Sequence, residues 1–145
     1  MFATKFLIVC MAVALLLFNT GCNSNTGKVK ENEKTINGKS RLVFEKEMYN
    51  FGEIKEGDII GKFIHFKNEG NGALTIKSVE GSCDCLDFKY SDKPVMPNEA
   101  GKIEVIFNSE GFNGRQVKFF KVISNDSLSI TKELMIFATV KGSEK

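Results

Sequence analysis

The chain has 145 residues and a net charge of +2, with Lys and Arg interspersed among Asp and Glu. That length suits one domain, and the absence of a basic stripe excludes nucleic acid as an expected partner. Charged residues at 26% and hydrophobic ones at 42% are ordinary for a globular protein, and thirteen Gly with two Pro imply many turns.

The first residues read as a targeting segment. Met1–Lys5 carries one positive charge, and Phe6–Phe18 is continuously apolar. A spanning helix takes about 20 apolar residues, so this shorter run suits the hydrophobic region of a secretory signal peptide. Phe18-Asn19-Thr20-Gly21-Cys22 follows. A small residue directly before a cysteine resembles a bacterial lipobox, although Asn19 stands where Leu is usual. The expectation is a lipoprotein signal peptide over residues 1–21, with Cys22 as the lipidation site; ordinary cleavage with Cys22 left free is the other reading. Two or more acyl chains, at about 0.8 kcal/mol per buried CH₂, anchor a protein stably, so the membrane is an expected partner. Asn23 rather than Asp after the cysteine resembles lipoproteins sorted to the outer membrane, facing the periplasm.

Residues 22–40 then read as the lipidated Cys and a flexible tether, polar and without apolar periodicity. Such a tether spans roughly 20–25 Å root-mean-square, which keeps the folded part close to the membrane. From Leu42 short apolar runs alternate with turns. Leu42–Glu45 and Met48–Ile54 read as an opening strand pair or one kinked edge strand. Lys55-Glu56-Gly57-Asp58 is a turn. Ile59–Lys67 places Ile60, Ile64 and Phe66 on one face, and Asn68–Gly72 turns the chain. Ala73–Val79 alternates, with Leu74 and Ile76 together. After Cys83 and Cys85 the stretch to Pro97 reads as irregular. Lys102–Phe107 aligns Ile103, Val105 and Phe107; Gly111–Gly114 turns; Val117–Ile123 is a strand, followed by a turn at Asn125-Asp126. Leu128–Val140 alternates over a long run, with Leu128, Ile130, Leu134, Ile136, Ala138 and Val140 on one side. About seven strands without a convincing helix predict an all-β chain, with a single immunoglobulin-like β-sandwich over residues 41–142.

An ordered set of motifs carries a family resemblance. Asn50-Phe51-Gly52-Glu53-Ile54-Lys55-Glu56-Gly57 is followed by Ile64-His65-Phe66-Lys67-Asn68-Glu69-Gly70, then by Leu74-Thr75-Ile76 and Ser82-Cys83-Asp84-Cys85. Lys93-Pro94-Val95-Met96-Pro97, Gly101-Lys102-Ile103 and Val122-Ile123-Ser124-Asn125 complete it. Together they resemble a bacterial family, domain of unknown function 1573, over nearly all of Phe44–Gly142. The resemblance implies a sandwich similar to the sperm-protein and pilus-chaperone type, in secreted or lipid-anchored proteins of Gram-negative bacteria. This chain departs from the family in having Asp84 between the cysteines where Gly is usual, and Leu86 after them where Thr is usual. Its Pro-Gly turn is Pro97-Asn98, and Asn also tolerates the left-handed conformation.

Of the four cysteines, Cys10 leaves with the signal and Cys22 takes lipid, so Cys83 and Cys85 remain in an exported, potentially oxidising compartment. On an extended strand their Cα atoms would lie about 6.6–6.8 Å apart, the upper edge for a disulfide; a turn at Asp84 would bring them closer. Packing thiols or a local disulfide, a redox pair, and metal handling all stay open. Two thiolates are only half of a zinc site, the lone His65 alternates away from Ile64 and Phe66, and no cofactor is expected. No acid–base or nucleophile constellation can be named, so the chain is not expected to be an enzyme. Pro94–Pro97 reads as a rigid edge segment. Val117–Ile123 is apolar on both faces, and Met135 and Phe137 lie opposite the core side of the last strand. Phe119, Ile123, Met135 and Phe137 are therefore a candidate interaction surface for a protein partner, with sheet-edge addition as the other binding mode. The sequence predicts a non-enzymatic, lipid-anchored periplasmic binding or structural module, with thiol redox or metal handling as the alternative.

Overall fold

The computed structural model describes residues 38–142. Cys22 and the expected signal peptide lie outside the described residues. Eight strands follow in order: β1 Leu42–Phe44, β2 Met48–Lys55, β3 Ile59–Asn68, β4 Ile76–Gly81, β5 Leu86–Tyr90, β6 Ala100–Asn108, β7 Gly114–Ser124 and β8 Thr131–Lys141. They form two four-stranded sheets, one ordered β1-β3-β6-β5 (sheet A) and the other β2-β8-β7-β4 (sheet B). All strand pairs are antiparallel except β2 with β8. The architecture is the expected all-β sandwich.

Alternation decides the inner faces. Ile64 and Phe66 of β3, Ile103, Val105 and Phe107 of β6, Phe120 and Val122 of β7, and Leu134, Ile136, Ala138 and Val140 of β8 are buried in one core. Fully burying a Val, Leu, Ile or Phe side chain is worth about 1.5–3 kcal/mol, so these rows hold the sheets face to face. One strand breaks the two-residue rhythm. Phe51 and Ile54 of β2 are both buried, although an odd spacing would send them to opposite faces. The register of β2 on β8 shifts between Asn50 and Gly52, Gly52 takes φ 82°, and its N–H donates to Asn50 Oδ1 at 2.7 Å. This bulge restores Ile54 to the core.

Four sequence expectations need correction. Leu42–Glu45 and Met48–Ile54 are not a pair: β1 and β2 lie in different sheets, because the chain crosses the sandwich between them. The stretch after Cys85 is not irregular throughout, since β5 pairs with β6 from Leu86↔Phe107 to Tyr90↔Ile103. This makes eight strands instead of about seven. The last strand begins at Thr131, and Leu128 and Ile130 are exposed in the loop before it. The tether was expected to include Lys39 and Ser40, yet both are stitched to the fold. Asn71 and Gly72 donate to Lys39 O at 2.9 and 3.2 Å, and Ser40 Oγ donates to Asn125 O at 2.6 Å.

Two buried polar side chains organise the end where the described chain begins. Asn68 Nδ2 donates to Gly72 O at 2.8 Å and to Val95 O at 2.9 Å, while its Oδ1 accepts from Gly70 N at 3.0 Å and Arg41 N at 3.3 Å. Asp126 Oδ2 accepts from Leu42 N at 2.6 Å, and its Oδ1 accepts from Leu128 N at 2.7 Å and Ser129 N at 3.2 Å. Burial alone raises the Asp126 pKa. The N–H donors of Leu128, Leu42 and Ser129, with Lys132 nearby, outweigh it and hold the carboxyl below its ordinary value. Pro94–Pro97 is tied into the fold by a backbone bridge. Val95 exchanges both backbone hydrogen bonds with Leu74 at 2.8 and 2.9 Å, and Asn98, after Pro97, takes φ 66° in a turn closed by Glu99 N to Met96 O at 3.0 Å.

Two outcomes are expected. Gly52→Ala meets no atom within 4 Å and suffers only from the left-handed φ, so denaturant unfolding should show a loss of about 1–2 kcal/mol; an unchanged midpoint would remove the bulge as a constraint. A carboxyl whose pKa is lowered by folding stabilises the fold fully above its unfolded value, and that contribution is lost as pH falls through the folded one. Below about pH 4 the native chain should therefore lose stability more steeply than Asp126→Asn, which should be less stable at neutral pH. Equal acid slopes would contradict this.

Candidate functional site: the cysteine corner and the outer face of sheet B

The cysteine corner is where the chain leaves sheet B for sheet A. Ser82 still belongs to the first sheet: its N–H donates to Phe119 O at 2.9 Å, and its Oγ accepts from Phe119 N at 3.2 Å. Cys85 already belongs to the second, its carbonyl accepting from Asn108 N at 2.9 Å. Between them Leu86 N donates to Cys83 O at 3.3 Å, closing a four-residue turn with Asp84 exposed at its tip. The turn brings the Cα atoms of Cys83 and Cys85 to 5.2 Å, and the two are joined by a disulfide. This is the shortening that a turn at Asp84 implied. Behind the corner, Phe88 of sheet A packs on Phe120 of sheet B with ring centroids 5.4 Å apart. Gly81 has no room for a side chain: a Cβ there would sit 3.0 Å from Leu86 Cβ and 3.2 Å from Cys83 O.

Both sulfur-bearing side chains are half-buried and pack on the core. A three-residue loop limits the chain-entropy gain of the bond to about 1.5 kcal/mol, so the hydrogen bonds of Ser82 and Cys85 and the Phe88–Phe120 contact hold the corner. Among the described residues, no three His, Cys, Asp or Glu side chains come together as a metal cluster. His65 is exposed on the outer face of sheet A, opposite Lys102 of β6, on a different strand pair from the corner.

The structure brings three of the four proposed interaction residues together. Phe119 of β7 lies directly opposite Met135 of β8, and Phe137 is opposite Val117 in the same antiparallel pair. Cross-strand neighbours of this kind lie within side-chain contact on one face. Ile123 is separated from them, because the Lys121↔Glu133 pair intervenes. Two further residues extend the patch: Val117 itself, and Met48, which β2 places beside Met135. Val117 and Phe119 are each 41% exposed and Met48 is 57% exposed, while Met135 and Phe137 are half-buried. Val117 was visible in the two-faced apolar run of its strand. Met48 was not, since only the parallel pairing of β2 with β8 puts it there.

These features define an immunoglobulin-like β-sandwich whose chain changes sheets at a disulfide-closed corner. The chain belongs to the family described as Protein of unknown function (DUF1573), whose model matches residues 42–140. No curated protein matches the sequence. Among solved structures, a protein of unknown function from Porphyromonas gingivalis W83 superposes with a TM-score of 0.61 at 16% identity, over 70% of this chain and 47% of that one. The YadV chaperone gives 0.52 at 14% identity, over 72% of this chain and 54% of that one. The secreted serine protease VesC from Vibrio cholerae gives 0.53 at 10% identity, over 69% and 23%. This chain thus spans about half or less of each of those proteins, and identities this low show a shared fold alone.

The corner yields a direct expectation. Cys83→Ser with Cys85→Ser should lower unfolding stability by no more than about 1.5 kcal/mol, read by denaturant titration without reductant. A much larger loss would make the bond the principal clamp of the corner.

Proposed function

We propose that this chain is a non-enzymatic binding module, exported and held by acyl chains on Cys22 at the periplasmic face of the outer membrane. The binding reading is carried by one observation: Met48, Met135, Phe119, Phe137 and Val117 form a continuous apolar group on the outside of sheet B. An outward sheet face is ordinarily polar, and clustered exposed apolar side chains favour a protein partner that removes them from water. The anchor is supported by the sequence, where Phe6–Phe18 and Gly21 precede Cys22. The two halves are compatible, because the chain enters the fold at the start of β1 and leaves the outer face of sheet B unoccupied by any described residue.

A second reading is favoured by the proximity of Cys83 and Cys85. As a redox pair, their disulfide would take two electrons and two protons from a dithiol partner, which becomes oxidised to its own disulfide. Photo-crosslinking in intact cells separates the readings. A crosslinker at Phe119 should give a discrete protein adduct that is lost with Phe137→Ala and retained in Cys83→Ser with Cys85→Ser. A crosslinker at His65, on the other sheet, should give none. Equal adducts from both faces would sink the sheet B site, and adducts that vanish only in the cysteine double variant would favour the redox reading.

A further inference from the structure

The loop Asn125–Ile130, between β7 and β8, spends an unusual number of polar contacts on holding aliphatic side chains in the open. Leu128 is 75% exposed and Ile130 is 62% exposed. The loop that carries them is rigidly built. Asp126 accepts the N–H groups of Leu128 and Ser129. Ser124 N donates to Ile130 O at 2.9 Å. The Asn125 side chain accepts from Thr75 N at 2.8 Å and donates to Ala73 O at 2.9 Å. The N–H groups of Ser127, Leu128 and Ser129 are thus paired inward while two large aliphatic groups point out. Satisfied donors lower the cost of taking the tip out of water.

The position of the loop supplies the partner. Ser127 N donates to Ser40 O at 3.1 Å, so the loop lies beside the first described residues, the point from which the chain continues back towards Cys22. Lys39 and Arg41 are exposed there and line the same cleft as Leu128, with Glu69 across from them. Ile59, at the start of β3, lies at the opposite pole, about 30 Å along the strand from Asn68. The pole that carries Leu128 and Ile130 is the one at which the chain leading back to Cys22 enters the fold.

We propose that the β7–β8 loop is a membrane-docking tip: Leu128 and Ile130 enter the interfacial region of the bilayer, with Lys39 and Arg41 at the headgroups. The sandwich then stands on the membrane with Ile59 and the β2–β3 turn at its distal end. This inference rests on the Cys22 anchor proposed above and adds a second, side-chain contact to it.

The chain contains no Trp, so Leu128→Trp creates a single reporter. Ile59, 70% exposed beside the distal turn, gives a matched control as Ile59→Trp. The full chain, processed in its host, is reconstituted into phosphatidylethanolamine–phosphatidylglycerol vesicles, and mass spectrometry first establishes the acyl chains on Cys22; their absence overturns the anchor. With the anchor present, Trp at position 128 should emit at shorter wavelength than in detergent-free solution. It should be quenched by brominated acyl chains and be shielded from aqueous acrylamide, while Trp at position 59 shows the reverse. Indistinguishable quenching at the two positions overturns the docking tip alone. A Trp at 128 shielded from acrylamide but not reached by the brominated chains identifies a protein occupant and also overturns it.

Discussion

The buried amide of Asn68 is the interaction on which the rest of the fold most depends. Both of its side-chain atoms are engaged, to Gly72 O and Val95 O on one side and to Gly70 N and Arg41 N on the other. It therefore ties together the entry of the chain, the β3–β4 connection and the long connection from β5 to β6. A buried polar group is favourable only when its partners are in place, and each unmet one costs about 1–3 kcal/mol. The Asn68 network consequently selects one arrangement of three loops that have few apolar groups to hold them. Asp126 does the same for β1 and the β7–β8 loop, with Leu42 N, Leu128 N and Ser129 N on one carboxylate.

With one pole tied by polar groups, the sandwich needs only sheet-crossings to be complete. The β1–β2 crossing sits at one open side, where Lys62 Nζ of β3 reaches Asn50 O of β2 at 2.7 Å. On the opposite open side the cysteine corner bridges the edges β4 and β5. There backbone hydrogen bonds tie Ser82 to sheet B and Cys85 to sheet A, the disulfide closes the turn between them, and Phe88 on Phe120 joins the sheets. The small loop means the bond adds little entropy, and its closeness to the edges makes it a local lock on the crossing.

The fold leaves separate surfaces for separate partners. The pole where the described chain begins carries aliphatic side chains on a polar frame, the outer face of sheet B carries a cross-strand apolar group, and the corner bridges the edges β4 and β5. The proposed membrane contact, protein contact and thiol chemistry would each draw on different residues.

Alternation made most strands legible from residue types alone. Ile64 and Phe66, Ile103 to Phe107, and Leu134 to Val140 read as inner-face rows and are buried as such, since a pleated strand sends every second side chain to the same side. The Pro97-Asn98 turn and the tightening at Asp84 were also readable, because they follow from local backbone preferences. The family resemblance carried by Asn50–Gly57, Ile64–Gly70 and Ser82–Cys85 identified the sandwich. Other features depended on contacts between residues distant in sequence. Leu86–Tyr90 became a strand because β6 offered an unpaired edge. Leu128 and Ile130 kept the alternating pattern yet left the core, because Asp126 captured the intervening backbone as a loop. Phe51 and Ile54 share a face only through a bulge set against β8, and Met48 joined the outer patch through parallel pairing between nearly opposite ends of the chain. The sequence by itself determined which residues avoid water and where the chain can turn, since both are properties of a residue and its immediate neighbours. Only the tertiary structure decided which strands are adjacent, which crossing the cysteines close and which apolar side chains remain outside, because those outcomes depend on pairing partners that no local stretch contains.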